Sequence, residues 1–185
     1  MKKHALLIAL LLISFLSFSQ EKESRFDFRI GIGPSLWGSG DHTLLNYENE
    51  LNYKLNSYFT VATEFNFGGL PGIKERKNFA SYILVNPLIF YSPFKNNEFW
   101  DFRIGLGVGF ISISQSQVSG SEYFNNMLIK ETYRNEKLGA ASLNLAIENN
   151  FQISENYLLG IKLFTQPYSS GDINSGIMLK FGRRL

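Results

Sequence analysis

Residues 99–113, FWDFRIGLGVGFISI, alternate strictly between two kinds of side chain. One set of alternate positions is large and apolar from Trp100 to Phe110, and the other set begins with Asp101 and Arg103 and continues as glycine. A period of two predicts a β-strand with one apolar face. That face turns either to the core of a soluble β-sandwich or to lipid in a transmembrane barrel. The rest of the chain decides between these two settings.

The N-terminal 19 residues have the features of a secretory signal peptide. Lys2 and Lys3 form a positive n-region, an apolar stretch follows from Ala5 to Phe18, and Ser17 and Ser19 suit a small-residue cleavage site. The apolar stretch is short for a helix that crosses a bilayer, which needs about 20 apolar residues. We therefore expect residues 1–19 to be removed on export, and residues 20–185 to form one domain.

Composition excludes several classes of function. The chain has no cysteine, which excludes disulfides and thiolate chemistry. Without Lys2 and Lys3, 18 basic residues become 16, equal to the 16 acidic residues, so the expected mature chain has a net charge of zero. Nucleic-acid binding, which would need a basic excess, is not expected. No later apolar stretch is long enough for a membrane helix, so any membrane span must come from strands.

The same alternation recurs along the chain and predicts eight strands. They are residues 26–37, 44–55, 58–67, 79–91, 99–113, 138–151, 157–166 and 175–183. Pro87 predicts a bulge in the fourth strand, and Asn86 indicates that Tyr82, Leu84 and Leu88 share its lumen side. Residues 114–137 predict a continuation of strands five and six, with a hairpin turn at Ser119-Gly120.

Three features favour lipid over a soluble core. Short and long connections alternate, as in outer-membrane barrels. Glycine and alanine on the polar face suit a narrow lumen, where they leave room for longer side chains. Aromatic residues are predicted to form two belts, as expected at membrane interfaces. One belt lies near the short turns: Phe26, Tyr58, Phe59, Tyr91, Phe94, Phe99, Trp100, Phe151 and Tyr157. The other comprises Trp37, Phe67, Phe79 and Tyr168.

This pattern resembles the small outer-membrane β-barrel proteins of the OmpA/OmpX-like type, over essentially the whole chain after residue 19. The end of the signal, Ser-Phe-Ser-Gln20, resembles those of Bacteroidetes exports. The resemblance implies an all-β, eight-stranded, antiparallel up-and-down barrel in the outer membrane of a Gram-negative bacterium, surrounded by lipid and lipopolysaccharide and inserted by the outer-membrane assembly machinery. Members commonly end their last strand with an aromatic residue, whereas here Phe181 is followed by Gly-Arg-Arg-Leu185.

Charged residues on the predicted lumen face are of both signs, and buried charges must be paired. We therefore expect a side-chain-filled lumen with a structural or surface-interaction role, and residues 114–137 as the part offered to a partner. The candidate ion-pair residues are Asp27, Arg29, Glu48, Glu50, Lys54, Glu64, Asp101, Arg103, Glu148, Lys162 and Lys180. A narrow pore and a soluble periplasmic β-barrel binding protein remain alternatives.

Catalysis has one weak candidate, His42, the only histidine after residue 19. A lipid acyltransferase or deacylase would need a serine and a carboxylate beside it, and the obvious partners are Asp41, Ser39 and Ser170. Leu44 stands where a His-x-Ser motif needs serine. We expect His42 to be a solvated loop residue. One histidine and only scattered carboxylates predict no metal site. The glycines at 105–109 lie within a strand rather than before a helix, so they predict no phosphate or cofactor site.

Overall fold

The computed structural model describes residues 25–38, 42–69, 79–95, 99–124 and 127–185. The predicted signal peptide, the predicted cleavage site and most of the loop at 68–77 lie outside these residues. None of the described residues forms a helix long and apolar enough to cross a membrane.

Eight antiparallel strands pair in sequence order, and the last pairs with the first to close a barrel. They are β1 (Phe26–Trp37), β2 (His42–Lys54), β3 (Phe59–Gly69), β4 (Phe79–Tyr91), β5 (Trp100–Phe124), β6 (Met127–Ser154), β7 (Tyr157–Pro167) and β8 (Ile173–Arg184). The predicted fold, a closed eight-stranded antiparallel barrel, is confirmed. All eight predicted strands are present.

Along the strands of the barrel wall, successive side chains point alternately into the lumen and outward. In β1 and β7, inward residues are buried and outward residues are exposed at every second position. The outward residues are mainly aliphatic and aromatic, whereas the inward ones include most of the charged and amide side chains. This polarity is the reverse of that of a soluble barrel, which buries its apolar face.

Glycines on the inner wall make room for large neighbours, as the sequence predicts. The ring of Phe90 lies against the bare backbone of Gly105, at 2.5 Å from the position that a Cβ atom would take. Asn86 and Ser142 similarly cover Gly109. A side chain at either glycine would displace its neighbours, so these positions set the packing of the lumen.

The bulge predicted at Pro87 is wrong. The register of β4 against β3 is continuous through Thr63↔Pro87. The register of β4 against β5 is also unchanged across Pro87, since Val85↔Phe110 and Leu88↔Gly107 belong to the same alignment. Only the two intervening pairs are missing from the β4–β5 ladder. Since proline has no N–H to donate, it interrupts the hydrogen bonding there without shifting the strands.

The hairpin turn predicted at Ser119-Gly120 is also wrong. β5 and β6 remain paired as far as Phe124↔Met127, and a register shift lies between Val118 and Gly120. The small residues thus accommodate an irregularity within a longer hairpin. The broader prediction, that strands five and six continue beyond the other strands before they turn, is confirmed.

The two predicted aromatic belts differ in outcome. At the end of the short turns the aromatic residues point outward, with Phe99, Phe94 and Phe26 among the exposed side chains. At the opposite end, Phe67 is exposed, but Trp37 and Tyr168 are buried inside the barrel. The side chain of Phe79 lies outside the described residues. The second belt is therefore wrong for Trp37 and Tyr168, which belong to the interior.

Candidate functional site

Arg103 forms the centre of a polar network inside the barrel. Its guanidinium lies 2.6 Å from Oε1 of Glu50 and 2.5 Å from Oε2 of Glu148, and it donates a 2.9 Å hydrogen bond to Oδ1 of Asn52. The same group stacks on the ring of Phe90, 3.8 Å from the centroid. One fully buried cation on β5 therefore joins strands β2, β4 and β6 across the lumen.

Two lysines extend the network. Nζ of Lys180 lies 2.8 Å from both Glu48 and Glu148 and also pairs with Glu50. Nζ of Lys162 lies 2.7 Å from Glu48 and pairs with Glu64. Each ammonium thus lies between carboxylates from different strands, as a buried charge requires.

A smaller group lies nearer the short turns. Arg29 donates from Nε to Asp27 at 2.6 Å, and its Nη1 atom lies 3.4 Å from Glu148. Asn52 donates a further hydrogen bond to Asp27 at 2.9 Å. Asp27 and Arg29 are therefore linked to the same network as Arg103.

At least nine of the eleven candidate charges lie in one connected network. Asp101 is also buried, and it accepts a 2.7 Å hydrogen bond from Ser92. Lys54 is half-buried at the end of β2. The predicted ion-pair residues do not include the inward asparagines: Asn66, Asn86 and Asn144 each donate to Oε2 of Glu64. Asn66 and Asn144 share a strand face with Glu64 and Glu148, and Asn86 is predicted to face the lumen, so the strand patterns could have indicated this role.

Four carboxylates that the sequence presents as scattered lie close together. Glu48, Glu50, Glu64 and Glu148 each contribute an oxygen to a group in which these atoms lie within 4.8 Å of one another. Each of these carboxylates also contacts at least one lysine or arginine. The cluster is thus bridged by cations of the chain itself, and we assign no metal to it.

An aromatic layer covers the network on the side of the longer loops. Trp37 stacks on Tyr82, with 5.6 Å between ring centroids, and lies 5.0 Å from Tyr168. Leu44, Leu84, Ile111 and Ile113 pack into the same buried cluster. The hydroxyl of Tyr82 bonds to Asn46 at 2.7 Å, which connects this cluster to the polar interior. The lumen is therefore filled by apolar and charged side chains in successive layers.

His42 differs from its prediction. It is the first residue of β2 rather than a loop residue, it lies opposite Trp37, and only 9% of its surface is exposed. The expectation of a solvated loop histidine is therefore wrong, because the strand begins two residues earlier than predicted. Of its proposed partners, Ser39 and Asp41 lie outside the described residues, and Ser170 bonds instead to Asp172 at 3.2 Å.

The second candidate site is the part of β5 and β6 that extends beyond the barrel wall. Pairing of β5 with β4 ends at Phe79↔Ser116, and on the other side the β6–β7 ladder begins at Leu145↔Thr165. A single bridge, Ser142↔Tyr168, precedes that ladder. Eight residues of β5 thus continue past its last partner in β4, about 26 Å at 3.3 Å per residue.

The protruding hairpin carries charges of both signs. Arg134 is exposed and pairs with Glu136 at 2.9 Å. Lys130, Lys137 and Glu122 also lie on exposed positions. A free strand edge with mixed charges presents unpaired backbone groups and polar side chains to its surroundings. Among the described strands, the hairpin therefore has the longest edges that no neighbouring strand pairs with.

No protein-family model matches the sequence, and no curated protein matches it. Solved structures do match. Neisserial surface protein A gives a TM-score of 0.66 at 10% identity, covering 89% of this chain and all of that one. Ail, the attachment invasion locus protein of Yersinia pestis, gives 0.62 at 16% identity with the same coverage. Ail in complex with the heparin analogue sucrose octasulfate gives 0.61 at 18%.

These similarities define the class of the fold. The chain has the architecture of small eight-stranded barrels that include outer-membrane proteins of Gram-negative bacteria. At such low identities the shared property is the fold alone.

Proposed function

We propose that this chain is an outer-membrane protein of a Gram-negative bacterium, exported with cleavage near Ser19/Gln20. Its lumen is closed by its own side chains, it catalyses no reaction, and the hairpin at residues 114–137 contacts a surface partner. Phospholipid and lipopolysaccharide surround the barrel, and the outer-membrane assembly machinery inserts it. The observation that carries the surface role is the extension of β5 and β6 beyond their neighbours.

The outer wall supports the membrane location. In the described strands, outside the protruding hairpin, Arg183 is the one charged residue on the outward face, and it lies at the end of the short turns. An uncharged outer band bordered by aromatic residues suits hydrocarbon and disfavours water. Heating should shift the electrophoretic mobility of the folded chain in detergent, and a chain that is monomeric without detergent and lacks this shift would contradict a membrane barrel.

The filled lumen supports a role other than diffusion. The Arg103 network and the aromatic layer around Trp37 place large, fully buried side chains across the lumen. Vesicles containing the folded chain should therefore swell in small sugars at the rate of empty vesicles. Porin-like swelling would instead favour the narrow-pore alternative.

The hairpin is tested by labelling, because the chain has no cysteine of its own. In intact cells, Ser121→Cys on the hairpin should react with a membrane-impermeant maleimide. Glu155→Cys, in the turn between β6 and β7, should react only after the outer membrane is permeabilised. The reverse pattern would place the hairpin on the periplasmic side and refute the surface role.

The absence of catalysis is tested separately. Turnover of lipid A or phospholipid by the folded chain, lost on His42→Ala, would establish the lipid-modifying alternative instead. We expect no turnover by the unmodified chain or by His42→Ala, since His42 is buried opposite Trp37 at the start of β2.

A further inference from the structure

Asn49 lies on the outward face of β2, where almost every neighbour is apolar. Its partners across the strands are Ile30 on β1 and Phe65 on β3, and both point outward. The amide oxygen accepts a 2.9 Å hydrogen bond from the hydroxyl of Tyr47. Among the described residues the amide nitrogen has no hydrogen-bond partner.

The depth of Asn49 follows from the position of the aromatic belt. Tyr53 packs on Phe26 at the end of the short turns, with 4.7 Å between ring centroids, and Asn49 lies four residues further along β2. At 3.3 Å per residue and a strand tilt near 40°, this separation is about 10 Å of depth. The apolar band of such barrels is about 25 Å tall. In the proposed membrane location, on which this inference rests, Asn49 therefore lies near the middle of the hydrocarbon.

A second polar group lies beside it. Thr63 on β3 faces outward opposite Leu51 and Pro87, diagonally adjacent to Asn49. Its hydroxyl also has no partner among the described residues. Asn149, the outward asparagine of β6, accepts from the indole of Trp100 in the same way as Asn49 does from Tyr47, but it lies only two residues from Phe151, in the aromatic belt at the end of the short turns. Thr165, further along β7, bonds to Ser175 at 2.8 Å. The polar surface formed by Tyr47, Asn49 and Thr63 is thus distinct from the rest of the outer wall.

We propose that this surface is the contact between two copies of the chain in the membrane. An unsatisfied amide is costly in hydrocarbon, whose lipid tails offer no hydrogen bonds. Lipid-facing apolar surfaces have no hydrophobic drive to associate, so polar contacts and close packing must supply it. A partner must therefore offer a polar group at the same depth.

Symmetry favours a second copy as that partner. All copies insert in one orientation, so a two-fold axis relating them must run along the membrane normal, and each residue meets its counterpart at its own depth. A primary amide carries both a donor and an acceptor. Asn49 of one copy can therefore donate to Asn49 of the other and accept from it, with Thr63 available beside the pair.

Cross-linking in dimyristoylphosphatidylcholine vesicles tests this contact. Leu51→Cys, on the outward face beside Asn49, should form a disulfide-linked dimer on oxidation of the folded chain. Ile147→Cys, outward on β6 at the opposite side of the barrel, should not. Adding Asn49→Leu to Leu51→Cys should reduce cross-linking about tenfold at equal protein-to-lipid ratio. Asn149→Leu, the matched change at the other outward asparagine, should leave cross-linking unchanged.

The outcomes separate this inference from the proposed function. Equal cross-linking of Leu51→Cys and Ile147→Cys, or undiminished cross-linking with Asn49→Leu, would show random collision and overturn the dimer. A folded barrel with the heat-dependent mobility shift but no Leu51→Cys dimer would overturn the dimer alone. A chain that does not fold into vesicles would overturn the membrane location, and the dimer with it.

Discussion

Removal of Arg103 tests how much the buried ionic network stabilises the barrel. Arg103→Ala would leave Glu50 and Glu148 buried and would also remove the group that stacks on Phe90. Loss of one partner from a buried ion pair costs about 3–5 kcal/mol. Lys180 and Arg29 still lie near both carboxylates, which favours the lower end of that range. We expect a loss of about 3 kcal/mol in the free energy of unfolding.

The measurement is reversible unfolding in urea from lipid vesicles, followed by tryptophan fluorescence. Arg134→Ala is the control, because its pair with Glu136 lies on the exposed hairpin and should contribute less than about 1 kcal/mol. Arg103→Lys should be intermediate, since an ammonium keeps the charge but cannot contact both carboxylates as a planar fork. Equal, small losses for Arg103→Ala and Arg134→Ala would refute the view that the network stabilises the barrel.

Three further changes test other parts of the interior and the hairpin. Gly109→Val should destabilise the barrel by about 1–3 kcal/mol in urea unfolding, because Asn86 and Ser142 cover that backbone, whereas Gly120→Ala has open space and should be neutral. Trp37→Ala should cost about 3–5 kcal/mol as a cavity, yet planar-bilayer conductance should stay at background, since the charged layer below remains. Replacing residues 117–134 by an Asn-Gly turn, directly after the Ser116↔Asn135 pair, should preserve the heat-dependent mobility shift. It should also remove the hairpin positions at which an introduced cysteine reacts with maleimide in intact cells.

Alternation within each strand was enough to predict the barrel, because a period of two determines which side chains share a face. The same rule would have placed Trp37 correctly, since it shares odd numbering with Asp27 and Arg29 on β1. Its aromatic character suggested the outer belt instead. Tyr168 follows the last residue of β7, so no strand pattern specified its direction.

The contacts of the candidate site could not be predicted in the same way. Whether Lys180 meets Glu48 or Asp101 depends on the stagger between strands around the closed barrel, which single-strand patterns do not contain. The turn of the hairpin was misplaced for a related reason. Ser119-Gly120 has the composition of a turn, but pairing continues past it as far as Phe124↔Met127.

The position of Lys180 also bears on the order of assembly. Its ammonium lies among Glu48, Glu50 and Glu148, yet it belongs to β8, the last strand of the chain. Until β8 pairs with β1 and β7, these carboxylates lack one of their cations, and in a water-free interior that state is strongly unfavourable. An incompletely closed barrel must therefore keep water in its lumen. Closure of the β1–β8 seam and drying of the interior should then occur as one late step in insertion.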